Sequence, residues 1–251
     1  MNLRDKFQGT WTIVRFNWPF YFGAAVVLAV SLWAVIQVDA PLFKLAAAII
    51  LAASLYFSFV SLFVSYLIYD RSDLYRFAWL GRALQGASRG RMICCSSGFD
   101  ETSHALKKQL PNVDWVVLDH YDPAIMTEAS IRRARKRFPP PSGSLVAPFD
   151  RWPVTAHYAD VIFGLLAIHE LRDGQERVAW FSEAFRVLKP GGRVVLVEHT
   201  RDLANFLAFG PGFLHFHSRA DWRQCWKKSG LHATDEFQIT PWVRVFIISK
   251  S

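Results

Sequence analysis

Three pairs of polar residues in the second half of the chain each follow a short apolar run: Asp119-His120, His169-Glu170 and Glu198-His199. Imidazole and carboxylate groups exchange protons and accept hydrogen bonds, so they suit acid–base chemistry and the binding of hydroxyl groups. If the apolar runs are strands of one parallel sheet, the pairs lie at the carboxyl ends, where ligands bind in such sheets. The spacing therefore predicts one ligand site built from several strand ends.

The elements that position these pairs alternate, from Arg89 onward, between short apolar runs and longer amphipathic ones. We predict strands at 91–95, 115–118, 144–146, 160–168 and 193–198, with a closing pair at 237–239 and 243–248. We predict helices at 101–110, 122–137, 175–188 and 221–229. This alternation indicates an α/β fold, in which helices cover both faces of a mainly parallel sheet.

The first third of the chain differs, because residues 16–38 and 45–69 contain no charged side chain. A bilayer core needs about 20 helical residues, so the pattern predicts a transmembrane helical hairpin with spans at about 18–38 and 45–68. Basic residues flank the pair at Arg4, Lys6 and Arg15 and again from Arg71, which places both termini in the cytoplasm. Small residues in both helices allow oligomerisation. A cleaved signal peptide and a hairpin buried in a soluble core are the alternatives.

Residues 70–88 are amphipathic and predict a linker helix that lies at the lipid headgroups or closes over the site as a lid. The net charge of +8 suits nucleic acid, anionic lipid or an acidic substrate. Next to a membrane anchor, lipid is the leading interpretation, also for the basic cluster at 132–137, and no nucleic-acid partner is expected. The three cysteines show no metal-binding spacing, and we expect neither a disulfide nor a metal site.

One motif makes the fold specific. Residues 183–196, EAFRVLKPGGRVVL, resemble the helix-to-strand join of class I SAM-dependent methyltransferases, with similarity to the quinone-ring methyltransferases. The resemblance extends from about Arg89 to Ser251. It implies a Rossmann-like methyltransferase domain at 89–251, behind a membrane anchor at 1–69 and a linker at 70–88, with S-adenosyl-L-methionine (SAM) as cofactor.

The same resemblance implies the cofactor residues. The glycine loop corresponds to Ser97, Gly98 and Asp100, although only Gly98 matches the family's glycines. Asp119 matches the acidic residue that binds the ribose hydroxyls, and His120 either flanks the adenine or is a solvated loop residue. The remaining cofactor residues implied by the resemblance are Phe149, Asp150 and Leu166.

The candidate catalytic residues are His169, Glu170, Glu198 and His199, as bases for an acceptor or as groups that shape the site. The aromatic segment 209–219 predicts an acceptor-binding cap or a membrane-contacting loop; its His215 and His217 lack a third ligand at metal spacing. We therefore expect methyl transfer to a hydrophobic or membrane-associated small molecule, such as a lipid or a prenylated ring. The alternatives are methylation of protein or peptide side chains at the membrane and a non-catalytic membrane scaffold.

Overall fold

The computed structural model describes residues 5–250, so Arg4, used above to predict orientation, lies outside the described residues. A seven-stranded sheet forms the centre, in the order β3-β2-β1-β4-β5-β7-β6. Strand β7 runs antiparallel to both of its neighbours, and the other strands are parallel. The predicted mainly parallel α/β sheet is confirmed. Its strands are β1 Arg91–Ser96, β2 Asp114–Asp119, β3 Leu145–Val146, β4 Ala159–Leu165, β5 Leu188–His199, β6 His232–Thr240 and β7 Val243–Ser249.

Helices cover both faces of this sheet, and two apolar cores lie between the layers. The three cysteines are free and buried. The helices are α1 Gln8–Phe16, α2 Trp18–Gln37, α3 Pro41–Tyr66, α4 Leu80–Ala83, α5 Ser103–Gln109, α6 Ala129–Arg137, α7 Gly174–Val187, α8 Leu203–Phe209 and α9 Arg219–Lys228.

Helices α2 and α3 form a hairpin joined by three residues, and each is long and apolar enough to cross a membrane. Their large side chains mostly point away from the protein: Phe20 is 78% exposed and Phe59 is 71% exposed. Few of their residues are buried, so the hairpin is not the core of a soluble domain.

Helix α1, which the sequence patterns did not predict, connects this hairpin to the α/β domain. The Asp70 carboxylate, just beyond α3, accepts hydrogen bonds from the backbone N–H groups of Gly9 and Thr10 at 2.7 and 2.9 Å, and so caps the start of α1. At the other end, Phe16 packs edge-on against Phe99 and Phe138. Helix α1 is therefore held at its start by the residue that follows the hairpin and at its end by aromatic residues beside the sheet.

The segment 70–88 is not the amphipathic linker helix that was predicted. The chain leaves α3 through a π-helical turn, Leu67–Arg71, and then forms turns and the short helix α4. Its apolar side chains Leu74, Phe77 and Leu84 are buried against the sheet, because they complete the second core. The segment therefore belongs to the folded domain as a cover of the sheet and is not a separate helix.

Two other elements are shorter than predicted. The helix expected over 122–137 begins only at Ala129, because the Asp122 carboxylate accepts a hydrogen bond from the backbone of Ala124 and fixes a local turn. The strand expected to reach residue 168 ends at Leu165. Leu166 then has a φ of 50°, and the backbone turns into a short 3₁₀ helix, Ile168–Glu170. This turn brings His169 and Glu170 over the strand ends.

Candidate active site

A cavity of about 600 Å³ lies at the carboxyl ends of β1, β4 and β5. Its floor contains Ser97, Leu166, His169 and His199, four of the residues singled out from the sequence. Its walls come from α1, α2, α3, α6 and the aromatic segment after α8. A volume of this size is typical of small-molecule sites. Glu170 also lines the cavity, whereas Asp119, His120 and Glu198 lie outside its lining, so the structure brings part of the predicted strand-end residues to one cavity.

The loop after β1 forms the first part of the candidate cofactor site. Gly98 has a φ of 92°, and a Cβ there would lie 2.7 Å from Tyr121 Cδ2, so the tight turn requires glycine. Ser97 Oγ is buried and has no hydrogen-bond partner among residues 5–250. Asp100 makes local hydrogen bonds and does not line the cavity. Its carboxylate accepts hydrogen bonds from the backbone N–H groups of Thr102 and Ser103 and is used in capping α5.

Asp119 ends β2 directly beside the end of β1, in register with Ser96. Its Oδ1 atom lies 3.3 Å from the backbone nitrogens of Gly98 and Tyr121. Its Oδ2 atom lies 2.6 Å from Arg135 Nη1 on α6, and the two groups form an ion pair without the alignment of a hydrogen bond. Oδ2 is buried and has no hydrogen-bond donor among the described residues. A buried carboxylate oxygen in this state can accept a hydrogen bond from a ribose hydroxyl.

His120 is fully buried, so the solvated-loop alternative is wrong. Its Nδ1 lies 2.8 Å from the Ala147 carbonyl oxygen, and its Nε2 accepts a hydrogen bond from Trp180 Nε1 at 3.1 Å. Burial lowers the pKa of His120 to about 4, so the ring is neutral and both nitrogens are used. The neighbouring prediction is less well supported: Asp150 is exposed in a turn and Phe149 packs against the core, and neither lines the cavity.

These residues fit an adenosyl-methionine cofactor. Asp119 and Ser97 present buried oxygen atoms without donors, and Gly98 allows close approach of the backbone. Glu101 and Thr102 line the adjoining wall of the cavity, where the carboxylate of Glu101 suits the positively charged amino group of a methionine moiety. Helix α6 is the element that must yield, because Arg135 occupies the oxygen that a ribose would use.

Replacing Arg135 by alanine is expected to tighten SAM binding about three- to tenfold, because the cofactor no longer has to displace an ion pair from Asp119. Calorimetric titration of the detergent-purified protein measures the change. Arg132→Ala removes an exposed arginine one turn away and is the matched control, with wild-type affinity expected. Weaker binding to the Arg135 variant would show instead that the ion pair helps to hold Asp119 in its binding position.

His169 and Glu198 form a buried pair at the acceptor side of the cavity. His169 Nδ1 lies 2.6 Å from Glu198 Oε2, and Glu198 has no exposed surface. The other oxygen of Glu198 accepts hydrogen bonds from the backbone N–H groups of Ala167, Ile168 and His169, so its position is fixed. Burial opposes the imidazolium form, but the charges of Glu198 and Glu170 outweigh it and raise the pKa of His169 above its usual value. His169 is therefore a site for positive charge.

His199 has the opposite character. Burial, with the nearby charge of His169, lowers the pKa of His199 to about 4, so the ring is neutral. Its Nδ1 lies 3.0 Å from the Trp242 carbonyl oxygen, and its Nε2 lies 2.9 Å from the Tyr69 hydroxyl. Tyr69 follows the end of α3, so an apolar helix of the hairpin contributes directly to the site. Two titratable groups whose environments move their pKa values apart are characteristic of acid–base sites.

Sequence reasoning missed several cavity residues. The sequence patterns did not select Tyr69, Glu101 or Glu128 as site residues. His215 was considered beside His217, as a pair on one side of an extended segment; the structure separates them. His217 is buried beside Arg177, whereas His215 lines the cavity and lies near His169 and Glu170. For Tyr69 and His215 the available signal was a polar group within an apolar or aromatic segment; Glu101 and Glu128 stand in polar segments, which give no such signal.

Comparison with known proteins agrees with this geometry. A family model described as a methyltransferase domain matches residues 100–196. A SAM-dependent methyltransferase from Aquifex aeolicus is 13% identical, with a TM-score of 0.51, over 72% of this chain and 90% of its own. A protein from Pyrococcus horikoshii is 15% identical, with a TM-score of 0.52, over 74% and 98%. At these identities the two structures establish the fold alone. No curated protein matches the sequence.

Fold and site define a Rossmann-like domain with a reversed seventh strand and a buried acidic residue at the end of β2. Within that class, the domain match identifies the reaction. The protein is a SAM-dependent methyltransferase, and S-adenosylmethionine is its cofactor.

Proposed function

We propose that this protein is a membrane-anchored methyltransferase that transfers the methyl group of SAM to a hydrophobic small molecule taken from the bilayer. One observation supports this most directly: the cavity that contains His169 and His199 is also lined by Tyr21 and Ala24 of α2 and by Phe57 of α3. A lipid-dissolved acceptor can therefore reach the strand ends without crossing water. Prenylated rings, as in quinone methylation, and lipids fit this description.

The exposure of the hairpin supports membrane insertion. Aromatic and aliphatic side chains such as Phe20, Trp33 and Phe59 would face water in a soluble protein, at a cost of about 25 cal/mol for each Å² of apolar surface. A bilayer removes that cost. The basic residues Lys6 and Arg15 before the first span, and the arginines after Asp70, favour a cytoplasmic catalytic domain.

The basic cluster on α6 contributes less to lipid binding than its charge suggests. Arg133 Nε donates a hydrogen bond to the Phe16 carbonyl oxygen at 2.7 Å, at the end of α1, and Arg135 pairs with Asp119. Arg132, Lys136 and Arg137 are exposed and are the members of the cluster able to face anionic headgroups.

The residues of the chain act mainly by positioning. When bound, the cofactor supplies an electrophilic methyl group on a sulfonium sulfur. The cavity walls exclude water and hold the acceptor in line. His169, held by Glu198, favours negative charge on an acceptor oxygen, and the Tyr69–His199 pair provides a neutral hydrogen-bonding group opposite it. The volume of the cavity is typical of small-molecule sites and favours a small molecule over a protein side chain as acceptor.

A blocked entrance tests the proposal. Ala24→Trp places an indole at the wall of the cavity, whereas Ala25→Trp places it on the exposed face of the same helix and is the control. With radiolabelled SAM and membrane lipid extract, we expect Ala24→Trp to lose at least about tenfold in methylation while SAM binding is unchanged, and Ala25→Trp to remain active. Equal activity of both variants, or methylation only of water-soluble acceptors, would contradict entry from the bilayer.

A further inference from the structure

Three cavity side chains from two separate segments converge at the acceptor end: His169, Glu170 and His215. One ligand atom from each lies within 4.8 Å of the others. Glu170 Oε1 lies 3.6 Å from His169 Nε2 and 3.9 Å from His215 Nε2. Ligands at about 2.0–2.2 Å from a tetrahedral ion lie roughly 3.3–3.6 Å apart, so both histidine–carboxylate distances are within a few tenths of an ångström of coordination geometry.

The surroundings orient both imidazoles in the same way. Glu198 Oε2 accepts from His169 Nδ1 at 2.6 Å, and Glu128 Oε1 lies 2.9 Å from His215 Nδ1. In each ring a carboxylate holds the proton on Nδ1, so Nε2, which points at Glu170, is the atom left for a metal ion, and in His169 the ion takes the place of the second ring proton. Histidine ligands in metal sites typically donate their other ring N–H to a carboxylate or carbonyl oxygen, which fixes the tautomer and raises ligand basicity.

The electrostatics and the backbone also favour a bound cation. The site has three carboxylates, from Glu128, Glu170 and Glu198, and one nearby guanidinium, from Arg172. The guanidinium donates hydrogen bonds to backbone carbonyl oxygens, including that of His215. Arg172 therefore joins the two segments that provide the three donors. All three donor side chains line the cavity, so a fourth position around an ion would face the acceptor space.

We propose that His169, Glu170 and His215 bind a divalent transition-metal ion such as Zn²⁺, Mn²⁺ or Co²⁺, with an open position toward the acceptor. Two imidazoles, one carboxylate and an open fourth position form the donor set of catalytic rather than structural zinc sites. The ion binds the oxygen of an acceptor hydroxyl and lowers its pKa, so the proton passes to solvent; the oxygen then takes the methyl group of SAM, which leaves as S-adenosylhomocysteine. This role, though not the binding of the ion, rests on the proposed function. The sequence-based expectation of no metal site considered only spacing along the chain.

Metal binding is tested without reference to activity. The full-length, detergent-purified protein is stripped with a chelator, dialysed and titrated with Zn²⁺, and bound metal is measured by mass spectrometry and calorimetry. We expect one ion per chain. His215→Ala and Glu170→Gln should each weaken binding at least about 100-fold, and Glu128→Gln about 10- to 100-fold. His104→Ala removes an exposed histidine of α5 and should bind as the wild type does. The absorption of a Co²⁺-loaded sample reports coordination by nitrogen and oxygen.

The results separate this proposal from the proposed function. A folded wild type that binds no stoichiometric ion, or a His215→Ala variant that binds like the control, would overturn the metal site. Stripped protein should still bind SAM, because the ribose and methionine residues are elsewhere, but should lose methyl transfer. If it methylates at the full rate, the ion has no part in acceptor binding and that role is overturned. If loaded protein binds SAM and ion but methylates no lipid, the proposed acceptor class fails while the metal site stands.

Discussion

Asp119→Ala is expected to weaken SAM binding at least about 100-fold. The variant removes the buried oxygen available to the ribose, and hydrogen bonds to a charged group contribute about 1.5–3 kcal/mol each. It also removes the ion-pair partner of Arg135, leaving a partly buried guanidinium beside the ribose site. Calorimetric titration of SAM into the detergent-purified protein measures the loss, and needs no knowledge of the acceptor.

Two further variants interpret that result. Asp119→Asn keeps the shape of the side chain and removes its charge, so it should bind SAM more weakly than the wild type while melting at a similar temperature. Asp150→Ala removes an exposed carboxylate that lies away from the cavity and should bind normally. If Asp119→Ala bound SAM as tightly as Asp150→Ala does, the assignment of the ribose site to the end of β2 would be wrong.

Glu198→Gln is expected to lower the rate of methyl transfer by about 10²- to 10⁴-fold with little change in SAM affinity. The glutamine oxygen can still accept from the three backbone N–H groups that Glu198 Oε1 receives. The amide nitrogen then faces His169 Nδ1 and donates to it, so the ring proton moves to Nε2. With that tautomer the ring is neutral, so His169 loses the positive charge that the Glu198 carboxylate maintains.

Single-turnover kinetics with a responsive lipid acceptor, together with SAM calorimetry, separates this effect from misfolding. Glu183→Gln is the control. Glu183 is a partly buried glutamate whose hydrogen-bond partners, Trp152 and Arg186, lie away from the cavity. A Glu198→Gln enzyme with wild-type turnover would show that His169 needs no fixed tautomer. A Glu198→Gln protein that lost SAM binding as well would show that the 3₁₀ turn at 168–170 had collapsed.

Part of the architecture could be predicted from local patterns. The KPGG segment at 189–192 separates an amphipathic helix from an apolar strand, because proline and glycine end the helix; the structure has α7 before the segment and β5 through it. Asp119, His169 and Glu198 were located by the same reasoning, since each follows an apolar run and parallel strands collect their carboxyl ends at one edge. The two uncharged stretches likewise predicted two long helices. These features depend on neighbours in the sequence, and local composition is sufficient to recognise them.

Two other features depend on interactions in the folded protein that the local sequence pattern does not show. Residues 70–88 have the amphipathic pattern of a surface helix, but Leu74 and Phe77 are buried because the second face of the sheet requires a cover. Asp100 stands where the resemblance expects a cofactor residue, and its short carboxylate instead caps the next helix. In both cases a tertiary or capping interaction is stronger than the pattern that suggested the prediction.

What the sequence determined by itself was the α/β alternation, the apolar hairpin and the positions of polar residues at strand ends, because these follow from periodicity and charge over a few residues. Only the tertiary structure decided which distant groups meet. Arg135 reaches Asp119, Tyr69 reaches His199, and His215 joins a pair 45 positions earlier, His169 and Glu170. Such contacts depend on how the helices pack over the sheet. The spacing of residues within one segment does not determine where a side chain of another segment points.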